Sequence, residues 1–336
     1  MTRRARIDHF VYLTRFLAVR CSWFLLSCAK NSVKILIGRK TYFTPRDVFF
    51  KLLVRQLIGY RPINKVTCDG FTGEGAGSQT LMMMNAINFA RVCGLTYVHT
   101  PFKAIAHADR PMEEWVAGWE KLFNLGAGEL VCDAHDRDVV NFAYNFPDLI
   151  RCFGVHDLVR VFTSTIPEFK RKYYTNKPPR ANDVLTIAIH VRRGDVSTTR
   201  ADMWTSTEIV LKTTAKAKSI VESYGLSCRI HVFSQGNGTE FSGLRQLGAE
   251  LFLNVDAIRT MQELIESDVL IMAKSSFSYL AAILCDGIKV YEPCDYYPLD
   301  GWVVREPDGD FDTHRFERQL HNLRGSKLQH NAHSWS

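Results

Sequence analysis

Apolar and polar positions in the second half of the chain alternate between short apolar runs and longer amphipathic stretches. The apolar runs predict strands at residues 184–191, 228–234, 251–254, 268–272 and 289–292. The stretches between them predict helices at residues 207–224, 240–247, 257–266 and 277–286, with a last helix at 314–324. Repeated strand–helix units of this length are typical of a parallel sheet covered by helices.

A shorter unit of the same kind comes earlier. A strand is predicted at residues 65–69, a glycine-rich turn at 70–77, a helix at 78–92 that ends at Gly94, and a strand at 95–99. Adjacent prolines and polar residues at 176–183 predict a linker. The chain is therefore expected to hold an N-terminal region at 1–60 and two Rossmann-like α/β domains, at 61–176 and 177–336, that face one cleft. Ligands of such sheets bind at the carboxyl ends of the strands.

The charge is uneven along the chain. Lys and Arg number 42 against 35 Asp and Glu, a formal net charge of +7. Nine of the basic residues fall in the first forty positions: Arg3, Arg4, Arg6, Arg15, Arg20, Lys30, Lys34, Arg39 and Lys40. This end could lie on a membrane surface, act as a targeting segment or pack as an ordinary helix. Arginines interrupt its apolar stretch, which predicts no transmembrane helix, and no nucleic-acid partner is predicted.

The nine cysteines contain no Cys-x-x-Cys pair, so neither a zinc site nor a tight disulfide framework is predicted. The sequon at residues 237–239 has meaning only in a secreted protein, and the compartment stays open among cytoplasmic, membrane-associated and secretory. Three consecutive methionines, Met82, Met83 and Met84, are interpreted as core filling in the first helix.

The strand predicted at residues 184–191 ends in a basic, polar group. Side chains alternate between the faces of a strand, which places His190 and Arg192 on the same side. Arg193, Gly194 and Asp195 follow directly. Guanidinium forks bind two phosphate oxygens at once and stay charged at any working pH. The pattern predicts a phosphate site, although an arginine pair can also form a surface ion-pair cluster.

Fixed cations can neutralise a departing diphosphate without a metal ion. The repeat of aspartates at residues 308–312 resembles a metal-binding Asp-x-Asp, but it lies in the late, loop-like tail and not at a mid-domain strand end. Neither a metal nor a bound cofactor is predicted, and the expected ligand is a nucleotide-sugar substrate.

The run at residues 187–195 resembles the donor-binding signature His-x-Arg-Arg-Gly/Thr-Asp of the α1,2-, α1,6- and protein O-fucosyltransferases. That resemblance implies a GT-B-like fold, a GDP-fucose donor and a glycan or glycoprotein acceptor. It also implies that Arg192 binds the β-phosphate and that His190 lies on the nucleotide side. Arg193 and Asp195 would assist the phosphate or hold the loop.

Other segments are similar to the same superfamily. Residues 268–279 resemble its later motif, in which a strand ends in a serine-rich turn, and imply donor contacts from Ser275, Ser276, Phe277 and Ser278. The strand end at residues 232–236 implies a further contact from Ser234. The loop at residues 73–79 resembles the first-strand loop of these enzymes and implies Glu74 as the base for in-line attack with inversion, with Asp69 in reserve.

Two departures leave alternatives open. Residues 75–79 read Gly-Ala-Gly-Ser-Gln where the α1,2 family has Gly-x-Gly-Asn-Gln, and residues 276–280 read Ser-Phe-Ser-Tyr-Leu in place of Ser-Phe-Ser-Trp-Trp. Another nucleotide sugar is therefore an alternative donor, and a non-catalytic sugar- or phosphate-binding protein on this fold is the alternative function. The serines could only cap a helix, and Glu74 could be a solvated side chain.

Overall fold

The computed structural model describes residues 64–69, 72–133, 138–144, 149, 155–175, 177, 184–194, 196 and 202–333. By its internal contacts the chain separates into Met1–Phe50 and Lys51–Ser336, and every element described below lies in the second unit. Residues 1–60 and most of the linker predicted at 176–183 lie outside the described residues. The predicted domain boundaries there, and the membrane contact of the basic end, stay predictions.

The first Rossmann-like domain is a four-stranded parallel sheet with the strand order β3-β2-β1-β4. Its elements are β1 (Lys65–Thr67), α1 (Ala76–Cys93), β2 (Thr96–His99), α2 (Met112–Phe123), β3 (Leu130–Val131), β4 (Val139–Asn141) and α3 (Val155–Tyr174). Gly94 closes α1 in the left-handed conformation, as the sequence predicts. The carboxyl ends of all four strands therefore lie at one edge of this sheet.

The second domain is a six-stranded parallel sheet with the strand order β10-β9-β8-β5-β6-β7. Its strands are β5 (Leu185–Val191), β6 (Cys228–Ser234), β7 (Ala249–Leu253), β8 (Val269–Ile271), β9 (Ile288–Tyr291) and β10 (Val303–Val304). Its helices are α4 (Thr207–Ser223), α5 (Ser242–Gln246), α6 (Ala257–Ile265), α7 (Ser276–Leu284) and α8 (Thr313–His333). Successive strands add on one side of β5 and then on the other, so the order reverses between β5 and β8. An open α/β sheet holds its ligand at such a point.

The core confirms the predicted alternation in β5. Leu185, Ile187, Ile189 and Val191 are buried in one apolar cluster with Val210 of α4 and residues of α8. Met82, Met83 and Met84 of α1 are also buried, as interpreted from the sequence. Burial of this apolar surface is the main term that stabilises both sheets.

The two domains contact each other through helices. The start of α1 packs against the start of α7, and α2 packs against α6. Trp119 of α2 stands edge-on to Phe277, with ring centroids 6.2 Å apart. Arg110, just before α2, forms an ion pair with Asp256, which caps α6. The segments that follow β1 and β8 thereby meet at the starts of α1 and α7.

Several predicted elements change in detail. The helix predicted at residues 240–247 is a 3₁₀ turn, Gly238–Phe241, followed by the short α5, because the Asn237 side chain caps the 3₁₀ turn first. The last helix runs beyond 324 to His333. α2, α3, β3, β4 and β10 were not predicted. Over the described residues, no helix is long and apolar enough to cross a membrane.

Candidate functional site

His190 is the penultimate residue of β5, the strand that pairs with β8 where the strand order reverses. Its Nδ1 lies 2.5 Å from Oγ of Ser278 in α7, and the Ala273 amide donates to the same hydroxyl at 3.2 Å. Ser278 is fully buried, whereas His190 is half-buried. The hydroxyl therefore fixes the orientation of the imidazole, and the resemblance-implied donor contact of Ser278 becomes a positioning role in this geometry.

Arg192 follows β5 by one residue and lies on the side of β8. Its guanidinium donates to the carbonyl oxygen of Lys274 at 3.1 Å. Lys274 belongs to the turn that connects β8 to α7. The predicted phosphate-binding arginine and the predicted serine-rich turn are consequently in direct contact, although 82 residues separate them in sequence.

Arg193 is buried and engaged by protein groups on several sides. Its Nε donates to Glu240 at 2.5 Å, and its NH2 donates to the Thr205 carbonyl oxygen at 3.1 Å. The ring of Trp204 lies 3.6 Å from the guanidinium carbon, within cation–π distance. Of the two roles that the resemblance allowed, this geometry favours holding the loop over contacting a phosphate.

Gly194 has a backbone conformation that other residues rarely adopt, with φ at +79°. A Cβ atom at this position would also collide with the side-chain amide of Gln235, which follows β6. Glycine is required here by its backbone conformation, because the exposed Gln235 side chain can move aside. Asp195, the next predicted site residue, lies outside the described residues.

The serine-rich turn is a helix start. Ser275 is buried, and its hydroxyl accepts from the Phe277 amide, so it caps α7. Ser276 and Phe277 are half-buried, and the Phe277 ring lies 5.4 Å from the His190 ring. The first amides of a helix attract anions because they lack partners within the helix. The Phe277 amide already donates to Ser275, so the half-buried Ser276 is the member of this motif best placed for a ligand, with the Phe277 ring beside it.

Ser234 ends β6 and ties it to β5. Its hydroxyl lies 2.7 Å from the Val191 carbonyl oxygen and 3.2 Å from that of Gln235. The side chain therefore joins the carboxyl ends of β5 and β6, next to Arg192. Its predicted donor contact stays a prediction.

The glycine-rich loop of the first domain reaches the same place. A Cβ atom on Gly77 would lie 2.8 Å from the Phe277 nitrogen and Cα, so the start of α1 touches the backbone of α7. Gln79 fixes the loop by donating to the carbonyl oxygens of Glu74, at 2.7 Å, and of Ala104, at 2.9 Å. Glu74 is exposed at this junction.

Tyr296, in the loop after β9, completes the junction and was not predicted. Its ring stacks on Tyr279 with centroids 4.8 Å apart. Burial raises the pKa of the phenol to about 12, and the nearby Cys294 and Glu74 contribute to this rise. A hydrogen bond from Ser276 acts in the opposite direction and lowers this pKa. The one sequence signal for Tyr296 was its position in the loop that follows a predicted strand, since ligands bind at such strand ends.

The reserve base, Asp69, is paired. Its carboxylate lies 2.7 Å from the Lys103 ammonium, and its backbone amide and carbonyl oxygen both bond to Asn141. A small pocket beside it is lined by Gln79, Met82, Met83 and Phe102. The neighbouring Cys68 is buried, which raises the pKa of its thiol to about 12.

The aspartate repeat lies away from these residues. Asp308 is paired with Lys212 at 2.7 Å, and Asp310 forms an ion pair with Lys216. Both lysines belong to α4, so the repeat fastens the loop before α8 to that helix. Among the described residues, no group of three or more His, Cys, Asp and Glu side chains is arranged to hold a metal ion.

Comparisons with known proteins assign no family to this chain. No protein-family model and no curated protein matches the sequence. Among solved structures, POFUT1 in complex with GDP-fucose is 13% identical, with a TM-score of 0.27, over 67% of this chain and 70% of that one. An α,α-trehalose-phosphate synthase (UDP-forming) from Burkholderia vietnamiensis is 12% identical, with a TM-score of 0.26, over 87% of this chain and 74% of that one. At such scores neither similarity bears on the fold or on the chemistry of the site.

Proposed function

We propose that this protein is a nucleotide-sugar glycosyltransferase that transfers fucose from GDP-fucose to a glycan or glycoprotein. The observation that carries the proposal is the meeting of three chain segments at the strand-order reversal: the end of β5 with His190 and Arg192, the start of α7, and the glycine-rich loop of the first domain. A guanidinium and the amides of a helix start are suited to a diphosphate.

On the donor side, Arg192 and the first amides of α7 would hold the diphosphate as it leaves. The bond between the sugar anomeric carbon and the phosphate oxygen breaks, and its electrons pass to the diphosphate. Groups placed to neutralise that developing charge act most strongly when they are fixed beforehand. The contact of Arg192 with the Lys274 carbonyl oxygen and the contact of His190 with Ser278 fix both side chains.

On the acceptor side, Glu74 is the proposed base. It would take the proton of the acceptor hydroxyl while that oxygen attacks the anomeric carbon from the face opposite the diphosphate, which inverts the configuration. Glu74 is exposed on the loop that Gln79 anchors, beside the start of α7. Asp69 is the less favoured base because Lys103 and Asn141 already hold it.

The reaction is proposed to need no metal ion, since fixed cations supply the neutralising charge. The aspartates that resemble a metal motif are each paired with a lysine of α4. Transfer activity is expected to be unchanged after dialysis against EDTA. Loss of activity that returns with added Mg²⁺ or Mn²⁺ would contradict this part of the proposal.

The test is a screen of nucleotide sugars that detects the released nucleotide, followed by titration of GDP and UDP. GDP-fucose is expected to give turnover and GDP to bind. If only UDP or another nucleotide binds, another nucleotide sugar is the donor. If nucleotides bind and no donor is ever turned over, the protein is a non-catalytic binding protein on this fold.

The Arg192→Ala variant tests the site itself. Removing a group that stabilises the departing charge lowers kcat by about 10²–10³-fold in comparable cases. Arg318→Ala is the matched control, because Arg318 is exposed on α8. Equal activity of the two variants would show that Arg192 is not the phosphate-binding residue.

A further inference from the structure

The buried carboxylate of Glu292 lies close to the candidate site, between the cationic side chains of Arg305 and Lys274. Glu292 directly follows β9, and its side chain is only 6% exposed. It forms a close ion pair with the Arg305 guanidinium, which is also buried, and accepts a hydrogen bond from the Thr205 hydroxyl. Arg305 alone therefore neutralises the charge of Glu292.

Lys274 is the second cation near Glu292. Its ammonium nitrogen is 3.9 Å from the Glu292 carboxylate oxygen, well beyond hydrogen-bond length, and its side chain is 25% exposed. One of its N–H groups can donate to the Asp202 carbonyl oxygen at 3.1 Å. One carboxylate between two cations leaves an excess of one positive charge, and Lys274 is the more loosely held and the more exposed of the two.

The position of this excess charge relates it to the site. Lys274 is part of the turn between β8 and α7, and its own carbonyl oxygen accepts the hydrogen bond from Arg192 at 3.1 Å. The same turn continues into Ser275, Ser276 and the start of α7. Lys274 and the helix start therefore belong to one short turn, and Arg192 bonds to that turn from the end of β5. An anion is favoured at such a point of the strand-order reversal.

We propose that Lys274 is a second phosphate-binding residue, which acts with Arg192 on the diphosphate of a nucleoside diphosphate. The Glu292–Arg305 pair and Thr205 hold the neighbouring backbone so that the ammonium remains at the turn. The inference rests on the proposed function for the identity of the ligand, a nucleotide diphosphate. The charge arrangement itself does not depend on whether sugar is transferred.

The experiment titrates guanosine, GMP, GDP, UDP and inorganic pyrophosphate into the full chain and into three variants. Losing a hydrogen bond to a charged group weakens binding by about 10- to 150-fold, so Lys274→Ala is expected to weaken GDP by that order. Guanosine should bind equally well to both proteins, because it carries no phosphate. Lys274→Arg should recover most of the lost GDP affinity.

Lys212→Ala is the matched control, because Lys212 is also paired with a carboxylate but lies on α4 beside Asp308. It should leave every affinity unchanged. An equal loss for guanosine and GDP in Lys274→Ala would show a merely structural role and overturn the proposal, as would unchanged GDP affinity.

Failure of the two proposals can be told apart. If the wild-type protein binds GDP or UDP, loses that affinity on Lys274→Ala and never transfers sugar, the transferase proposal fails while the assignment of Lys274 stands. If sugar is transferred and Lys274→Ala binds GDP like the wild type, only the assignment of Lys274 fails. If the wild-type protein binds none of the diphosphate or pyrophosphate probes, both fail.

Discussion

The contact between Gly77 and α7 makes a sharp prediction about one methyl group. In Gly77→Ala, the new Cβ atom would lie 2.8 Å from the Phe277 nitrogen and Cα and 3.0 Å from the Ser276 carbonyl carbon. Ordinary contact begins at about 3.5 Å, and the obstructing atoms are backbone. The two helix starts must therefore move apart.

The net effect on stability is the balance of two terms. Overpacking of a well-packed contact costs about 1–3 kcal/mol, whereas alanine in place of glycine gains at most about 1 kcal/mol of helix propensity. We expect a net loss of about 1–2 kcal/mol, or roughly 2–8 °C in Tm for a unit of this size. GDP affinity should fall as well, because Ser276 and Phe277 are displaced directly. About tenfold or more is expected, the effect of losing one hydrogen bond to a charged ligand.

The assay is thermal unfolding with and without GDP, together with titration of GDP. Gly73→Ala is the control in the same loop, since a Cβ atom there meets nothing within 4 Å. It should leave Tm and GDP affinity within error of the wild-type values. If Gly77→Ala is as stable as Gly73→Ala and binds GDP equally well, the two domains do not meet at this contact in solution.

Four further predictions concern the same region. Ser278→Ala removes the hydroxyl that His190 Nδ1 and the Ala273 amide both contact. The free energy of unfolding in urea should fall by about 1–3 kcal/mol, and kcat should fall too. Unchanged values would contradict the positioning role. Gly194→Ala should destabilise by about 1–2 kcal/mol from its backbone conformation. Gly194→Ala/Gln235→Ala should be no more stable, because the exposed Gln235 side chain can already move aside; a clear recovery in urea unfolding would contradict this. Arg193→Met removes the ion pair with Glu240, in which only the arginine is deeply buried. The free energy of unfolding in urea should fall by about 2 kcal/mol, less than the roughly 3–5 kcal/mol lost when a fully buried pair is broken. No loss would show that Arg193 does not hold the loop. Burial raises the pKa of the Cys68 thiol from 9.0 to about 12, so the unfolded chain loses this proton at lower pH than the folded chain does. The free energy of unfolding should therefore decline as pH rises from 9 to 12. Cys68→Ala should show a smaller decline in unfolding experiments across that range.

Much of the second domain was predictable because its strands are continuous apolar runs. The predicted strand at residues 228–234 coincides with β6, and the others agree within a few residues. The first domain was predicted less well. α3 contains Pro167, which ordinarily indicates a helix end, and β3 and β10 have only two residues each. Such short strands form because they pair with neighbouring strands, and the local pattern of apolar residues does not show this pairing.

The site was predictable as separate motifs and not as an arrangement. Alternation alone placed His190 and Arg192 on one side of β5. The contact of His190 with Ser278 spans 88 residues and depends on the reversal of strand order, which no local pattern specifies. The different roles of Arg192 and Arg193 likewise depend on Glu240 and Trp204, which come from other elements.

The meeting of α1 and α7 has an electrostatic consequence. Each helix carries about half a positive charge at its N-terminus, and the contact at Gly77 and Phe277 places two such ends side by side. They repel each other, and the junction of the two domains is stable only because packing elsewhere, such as Trp119 on Phe277, outweighs the repulsion. An anion between the ends would turn repulsion into attraction on both sides. If the proposed diphosphate binds at these two helix starts, its binding and the contact between the two domains favour each other.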